Sequence, residues 1–382
     1  MSKINSAESI RGLACMAVVL SHLSLTFTPF LHNYEKLESS GNSLIDWLYH
    51  SPFGFLFSGT GAVFVFFVLS GYVLSYAILS KNDIPLKIKS MSLKRYPRLA
   101  IPAGISCLIA FFILSIPVDT SNILGNWMQK YGSSDATIFD ALYEGFLGSF
   151  LFGYINTNWV LWTMQIELIG SFLLFALLYV YHFNKRLFVP IALIAPLPFI
   201  LISPTFMLGM FAFIFGAFFY LYGRKISTPI SMALLLIGLY FAGIHSTSNS
   251  YTLFTSVLGT KTYVMLNFLA GVFIVYSVLM NETLSKVLDK KVLVKLGGLS
   301  FSIYLLHIPL IYIVAVPSFN LIFELSQSYL IASLFASCLF IVVTFILSYF
   351  YTKHIDQLSI NIANKIEKIS SKKSKETNKA LS

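Results

Sequence analysis

The chain has 382 residues, of which 57% are hydrophobic and only 11% are charged. An average soluble domain has about 25% charged residues, so this composition excludes a soluble globular protein and predicts an integral membrane protein. The net charge of +10 does not indicate nucleic-acid binding, because the basic residues lie between apolar segments. Three cysteines lie in apolar runs without metal-ligand spacing, so neither a disulfide framework nor a metal site is predicted.

Ten apolar segments are long enough to cross a membrane as helices. They lie at 10–28, 55–79, 98–116, 158–181, 187–203, 206–222, 229–245, 262–280, 299–317 and 328–351, and the fifth to seventh are short. The predicted fold is therefore all-α: a polytopic membrane bundle of about ten transmembrane helices within residues 1–352. The basic remainder, 353–382, is predicted to be a cytoplasmic tail that is partly disordered and attracted to anionic membrane lipids.

The basic residues orient the chain in the bilayer. With the N-terminus in the cytoplasm, every Lys and Arg except Lys36, Lys130 and Lys261 falls on the cytoplasmic side. This distribution requires an even number of crossings, so both termini are predicted to be cytoplasmic.

Segment 138–155 is nearly long enough to be an eleventh crossing, which would reverse the sidedness of every later loop. Asp140 and Glu144 stand one helical turn apart, on the same face of a helix. The segment is therefore predicted to lie on the outer surface or to dip into it.

The first segment carries Arg11 near its start and His22 inside its apolar run. Eleven residues at 100° and 1.5 Å per residue place both side chains on one helix face, roughly 16 Å apart. This arrangement favours a site for a long anionic ligand. His22 by itself is equally compatible with helix packing through a hydrogen bond to a neighbouring carbonyl.

Glu167 is the only acidic residue within the ten segments. A carboxylate at membrane depth costs roughly 3 kcal/mol, so Glu167 is expected to face protein or water. It is a functional candidate, and the alternative is a structural carboxylate that joins two helices. Counting from the segment ends places Glu167, His22 and His307 at a similar depth, about 12–14 Å below the outer surface. Pro309 frees the carbonyl of Leu305, a break that is tolerated beside a cavity.

An R-x-x-R pair, Arg95 and Arg98, lies at the cytoplasmic end of the third segment. Two guanidinium groups on one helical turn can bind a phosphate in a bidentate manner, although ordinary positive-inside charge is the simpler explanation for the lysines around them. Ser70 and Gly71 allow close helix approach, so packing is their predicted role. Trp162 lies near the outer surface and is a candidate substrate contact.

Five motifs occur in order between residues 8 and 307: ESIRG with its R-x10-H pair, GAVFVFFVLSGYVLS, KRYPR, NWVLWTMQIE and SFSIYLLH. Together they resemble the acyltransferase-3 family of membrane proteins, which move acyl groups, often acetyl, from coenzyme A to hydroxyls of glycans and other acceptors. Two positions depart from the family pattern. Phe64 stands where many members have a polar residue, a change that bears on the cavity, and Met164 stands where Leu is usual.

The resemblance implies an O-acyltransferase of the bacterial inner membrane. Its donor would be acyl-CoA, most often acetyl-CoA, and its acceptor a cell-surface glycan, free or lipid-linked. His22 would act as general base, and Glu167 would orient its imidazole or stabilise its charged form. His307 would bind the acceptor or donate to the oxyanion. The arginines expected to hold the donor phosphates are Arg11, Arg95 and Arg98.

Two other classes of function fit parts of the sequence. A proton-coupled transporter of glycan or lipid-linked sugar precursors would use Glu167, His22 and His307 as a proton path, but the paired interrupted helices typical of transporter repeats are not apparent. A structural partner in polysaccharide export would explain the helices but none of the ionisable residues within them.

Overall fold

The protein is described by a computed structural model that covers residues 2–32 and 40–381, with side chains over 4–32 and 40–370. These residues contain helices and no strand. Lys36, predicted on the outer side, lies outside them.

Ten helices correspond in order to the ten predicted segments. They are α1 (Ser2–Phe27), α2 (Thr60–Leu79), α3 (Ile84–Leu114), α4 (Met164–Phe183), α5 (Lys185–Ile194), α6 (Pro204–Tyr222), α7 (Thr228–Ala242), α8 (Thr262–Leu279), α9 (Lys291–Leu310) and α10 (Tyr329–Tyr351). Within the described residues, eight helical stretches are long and apolar enough to cross a membrane. The all-α polytopic fold is therefore confirmed.

The fifth and seventh segments form helices too short for that criterion. Helix α5 has 10 residues, followed by a 3-10 turn at Leu197–Leu201. Pro196 separates the two, because its ring removes a backbone donor and clashes with the preceding turn. Helix α7 has 15 residues and ends at Gly243, whose backbone packs directly on that of Gly54.

The remaining helical elements connect and flank these ten. Other α-helices are Ser43–His50, Trp127–Gly132, Ile138–Tyr143, Ser149–Leu151, Thr252–Leu258, Glu282–Leu288, Val316–Ser326 and Gln357–Leu381. The 3-10 turns are Pro29–His32, Gly54–Leu56, Trp159–Thr163, Leu197–Leu201, Asn249–Tyr251 and Gly259–Lys261. The π turns are Glu144–Gly148, Ile311–Ala315 and Thr352–Asp356. Of the tail 353–382, predicted to be partly disordered, the described residues 353–381 are thus helical, and the domain boundary at residue 352 stays a prediction.

Polar caps fix where several of these helices begin. Each cap side chain accepts a hydrogen bond from a backbone N–H of the first turn, which would otherwise lack a partner. Caps of this kind are Asp83 for α3, Asn184 for α5, Ser203 for α6 and Ser328 for α10. The polar residues between apolar segments therefore set the helix boundaries.

The loops separate into two groups at opposite ends of the bundle. Segments predicted to be cytoplasmic contact one another, as in the 2.9 Å hydrogen bond from Asn5 to Asp289. Segments predicted to be outer also contact one another, as in the 3.0 Å bond from the Tyr329 hydroxyl to the Phe27 carbonyl. We call these the basic end and the opposite end. The assignment of the basic end to the cytoplasm stays a prediction.

Segment 138–155 folds into the bundle and returns without crossing it. Glu144 is completely buried, and its carboxylate accepts hydrogen bonds from the backbone N–H groups of residues 156–158. Phe146 packs on Gly104 of α3. The segment therefore dips into the protein, one of the two predicted arrangements, and these backbone donors hold the Glu144 carboxylate inside.

Helices α1 and α9 lie side by side, parallel and in register. Gly12 contacts Gly297, and the Cys15 thiol donates to the Ser300 carbonyl at 3.2 Å. Both pairs have the same offset of 285 residues. The register also brings His22 beside His307, because each lies ten residues beyond one of the paired glycines.

Close packing of α2 on α6 depends on glycine. A Cβ on Gly71 would lie 2.0 Å from the Phe213 carbonyl oxygen, and one on Gly216 would lie 2.1 Å from the Val68 oxygen. Gly71 therefore has its predicted packing role, and α2 is held close enough to place its other side chains in the site.

We expect Gly71→Ala to destabilise the fold by about 3 kcal/mol, the upper range for overpacking, because its methyl group meets backbone atoms that cannot move aside. The measurement is thermal unfolding of detergent-solubilised protein, followed by size-exclusion chromatography. Gly298→Ala is the matched control, since a Cβ there meets no atom within 4 Å. Equal thermal stability of the two variants would contradict the packing role.

Candidate active site

Two cavities lie end to end in the bundle. The inner cavity, toward the basic end, has a volume of about 520 Å³. The outer cavity, toward the opposite end, has a volume of about 330 Å³. Val63 and Tyr304 line both cavities and form the wall between them. The Tyr304 hydroxyl donates to the Val160 carbonyl at 3.0 Å, which fixes the ring in that wall.

A third cavity at the basic end has a volume of about 640 Å³ and is lined in part by Tyr72, Tyr76 and Tyr220. That cavity lies on the other face of α2 and shares no lining residue with the inner cavity.

The inner cavity contains an ion pair between α3 and α4. The Arg95 guanidinium donates to the Glu167 carboxylate and, at 2.7 Å, to the Ser171 hydroxyl. Ser70 of α2 donates to the same carboxylate at 2.8 Å. Ser70, predicted to have a packing role, is therefore a ligand of Glu167. The carboxylate joins three helices, and it makes no hydrogen bond to His22 among the described residues.

The other arginines of the inner cavity differ in how available they are. Arg11 forms a 2.6 Å ion pair with Glu8. Arg98 is exposed, and no described carboxylate lies within 4 Å of its guanidinium, although Asp356 lines the same cavity. Arg95 is bonded to Glu167 while Arg98 is not, and their joint role as a phosphate clamp stays a prediction. Arg98 is the cation most accessible to an anionic ligand.

The outer cavity is lined by aromatic rings and imidazoles. Trp127, Trp159 and Trp162 contribute its indoles, and His22 and His32 its imidazoles. The ring of His22 stacks on that of Trp127 with a centroid distance of 5.6 Å. Such a site offers apolar faces together with hydrogen-bonding groups, which suits a polar organic ligand.

Hydrogen bonds assign the tautomers of His22 and His307. His307 is completely buried, and its Nδ1 lies 2.7 Å from the Tyr304 carbonyl oxygen. A carbonyl only accepts, so Nδ1 of His307 carries the proton and its Nε2 is an acceptor. That Nε2 lies 3.0 Å from Nδ1 of His22, which also lies 3.1 Å from the Val18 carbonyl oxygen. Nδ1 of His22 is therefore the donor, and Nε2 of His22 keeps its lone pair.

Asn158 supports the helix that carries His307. Its side-chain N–H group donates to the Leu305 carbonyl at 2.9 Å and to the Ser106 hydroxyl at 3.0 Å. Leu305 is the residue whose carbonyl Pro309 was predicted to free, since proline has no N–H. The side chain of a neighbouring segment satisfies that carbonyl, and α9 keeps its position beside α1.

His32 and His245 form a second pair of imidazoles at the opposite end. Their ring centroids are 5.7 Å apart, and Nε2 of His32 lies 2.8 Å from the Ser24 hydroxyl. Burial lowers the pKa of His32 to about 3, helped by the neighbouring imidazoles, and lowers the pKa of His245 to about 4. Both rings are therefore neutral at physiological pH, and His32 offers the outer cavity a hydrogen-bonding group without charge.

Comparison with protein families identifies the chain. A family model described as an acyltransferase domain matches residues 4–352. The chain belongs to the acyltransferase-3 family. Neither a curated protein nor a solved structure matches it significantly. Membership makes it an integral membrane acyltransferase, which requires an acyl donor and an acceptor.

The acyltransferase-3 motifs thus converge on the two cavities, and the roles of their residues stay predictions. Arg11, Arg95, Arg98 and Glu167 line the inner cavity, and His22 and Trp162 line the outer one. His307 bonds His22 and is not among the residues that line either cavity, and its role toward the acceptor or the oxyanion stays a prediction. Phe64 is completely buried and also lines neither cavity.

Two residues of the site, Trp127 and Asn158, could not be identified from the sequence. Trp127 lies in a six-residue helix within a loop, and Asn158 lies just before a 3-10 turn. Neither position has a periodic pattern that would signal a site. Among the described residues, no group of three or more His, Cys, Asp or Glu side chains could hold a metal ion.

Proposed function

We propose that this protein is an O-acetyltransferase of the bacterial inner membrane that moves an acetyl group from cytoplasmic acetyl-CoA to a hydroxyl of a cell-surface glycan. The observation that carries the proposal is the pair of cavities with one shared wall and a histidine lone pair in the outer one. A donor from the basic end and an acceptor from the opposite end would meet at that wall.

The inner cavity would take the donor. Arg98 and Arg11 line this cavity and would bind the donor phosphates, which would compete with Glu8 for Arg11. From Arg11 the thioester arm would run along α1 for roughly 16 Å to the level of His22. The acyl end would pass the wall formed by Val63 and Tyr304.

The outer cavity would take the acceptor. Indole rings suit the apolar C–H faces of a sugar, and neutral imidazoles can bond its hydroxyls without imposing a charge. Trp162 is half-buried, as a residue that contacts an entering ligand would be. These features support a glycan acceptor, whereas an apolar acceptor would leave Nε2 of His22 without a hydrogen-bond partner.

His22 would act as general base. Its Nε2 takes the proton of the acceptor hydroxyl while the hydroxyl oxygen attacks the thioester carbonyl carbon. The carbon–sulfur bond then breaks, and the coenzyme A thiolate recovers that proton. His307 positions the imidazole by accepting from its Nδ1, which keeps the lone pair on Nε2.

Acetyl transfer from radiolabelled acetyl-CoA in membranes that contain the protein tests this function. We expect label in glycan with the wild-type protein and none in membranes without it. Label in lipid or protein alone would contradict the acceptor class. No label in any acceptor would contradict acetyl-CoA as donor, and a transporter would then be the better explanation.

We expect Arg98→Ala to raise the KM for acetyl-CoA by about 10- to 100-fold, since a hydrogen bond to a charged group contributes about 1.5–3 kcal/mol. The measurement is the rate of transfer against acetyl-CoA concentration. Arg224→Ala is the matched control, because Arg224 is an exposed arginine that lines neither cavity. An unchanged KM for Arg98→Ala would remove Arg98 from the donor site.

A further inference from the structure

Trp127 carries a buried polar group that has no partner. The residue is only 2% exposed, and its Nε1 makes no hydrogen bond to any described residue. An N–H group shielded from water normally finds an acceptor, because leaving it unpaired costs free energy. An orphaned donor beside a cavity therefore calls for an explanation.

The position of this donor points to the reaction. Trp127 lines the outer cavity and stacks on His22. Two other donors at the cavity are already engaged: Nε1 of Trp159 donates to the Asn156 carbonyl at 3.2 Å, and the Tyr304 hydroxyl donates to Val160. His307, one predicted oxyanion donor, is bonded at both ring nitrogens.

We propose that Nε1–H of Trp127 donates a hydrogen bond to the oxyanion formed during acyl transfer. The inference rests on the proposed function and adds a catalytic residue to it. When the acceptor oxygen bonds to the thioester carbon, the carbonyl oxygen gains the electron pair of the C=O π bond, and His22 takes the acceptor proton. This electron pair then re-forms the C=O π bond as the carbon–sulfur bond breaks, which releases the coenzyme A thiolate.

Shielding from water makes this donor effective. A hydrogen bond to a developing negative charge is stronger in a site that excludes water, and a donor already in place needs no reorganisation. The stacking on His22 holds the indole next to the base. A carbonyl oxygen drawn to Nε1 would satisfy the unpaired group and bring the thioester carbon within reach of the acceptor.

The test compares Trp127→Phe with Trp159→Phe in purified protein. Both substitutions keep an aromatic ring at the outer cavity and remove an N–H, but only Trp127 has its N–H unpaired. We expect Trp127→Phe to lower kcat for acetyl transfer by about 10²- to 10³-fold, with little change in KM, as for loss of one oxyanion donor. Trp159→Phe should lower kcat less than tenfold.

Acceptor-independent hydrolysis of acetyl-CoA supplies a second readout, because an oxyanion forms whether water or a sugar attacks. We expect Trp127→Phe to lower hydrolysis by the same factor as transfer, and Trp127→His, which restores an N–H, to recover part of both rates. Loss of transfer with unchanged hydrolysis would show an acceptor-binding role and overturn the inference. Equal effects of the two Phe variants would also overturn it. An inactive wild-type protein would instead refute the proposed function.

Discussion

His22→Gln is expected to lower acetyl transfer by about 10²- to 10⁴-fold, the range that a positioned general base contributes. Glutamine keeps a polar side chain of similar length but offers no basic nitrogen. The hydrogen bonds of His307 and Val18 assign the free lone pair of His22 to Nε2, so no other nitrogen of that ring can serve. The measurement is label transfer at equal protein level, with binding of acetyl-CoA measured separately.

His32→Gln is the control for this variant, because His32 is a second neutral imidazole of the outer cavity. We expect it to alter acceptor binding while retaining most of the catalytic rate. Equal losses in the two variants would mean that the cavity needs imidazoles in general and would contradict a specific base. Transfer by His22→Gln within tenfold of wild type would return His22 to a packing role.

Arg95→Met and Glu167→Leu, made singly, are expected to destabilise the protein by about 3–5 kcal/mol each, because each leaves a largely buried charge without its partner. The side chains are only 18% and 15% exposed. The double variant should recover most of this loss, since removing both charges avoids the cost of an unpaired one. Thermal unfolding of the four proteins in one detergent measures the coupling.

The same variants separate a structural role of the pair from a role in donor binding. If Arg95 serves mainly to hold Glu167, the stable double variant should bind acetyl-CoA with nearly wild-type affinity. A large loss of affinity would give Arg95 the phosphate-binding role that its motif predicts. A double variant whose loss of stability equals the sum of the two single losses would show that the two charges are not coupled.

The sequence predicts those features of the fold that follow from the positions of residues along the chain. Apolar segments give the helices, and the similar depth of His22 and His307 follows from their distances to the segment ends. Their contact also needs the parallel register of α1 and α9, which depends on the packing of Gly12 on Gly297. Positions along the chain do not show which helices pack against each other or in which register.

The surroundings of two polar residues could not be predicted from the sequence, for a different reason. Glu167 was expected beside His22 because they share a depth, but depth fixes only one coordinate, and Arg95 reaches the carboxylate from another helix. The spacing of Asp140 and Glu144 predicted that segment 138–155 lies on the outer surface or dips into it, but it did not show which way Glu144 faces. Its backbone partners come from residues 156–158, so only the folded loop reveals that the carboxylate is buried.

The wall formed by Val63 and Tyr304 has an electrical consequence for the proposed reaction. The charged coenzyme stays on one side, and an acyl group leaves outward as the acceptor proton passes inward to the thiol. One acyl group thus exchanges for one proton, and no net charge crosses the bilayer. A single elementary charge moved through 100 mV involves about 2.3 kcal/mol. Because none is moved, the membrane potential neither drives nor opposes the modification of the cell surface.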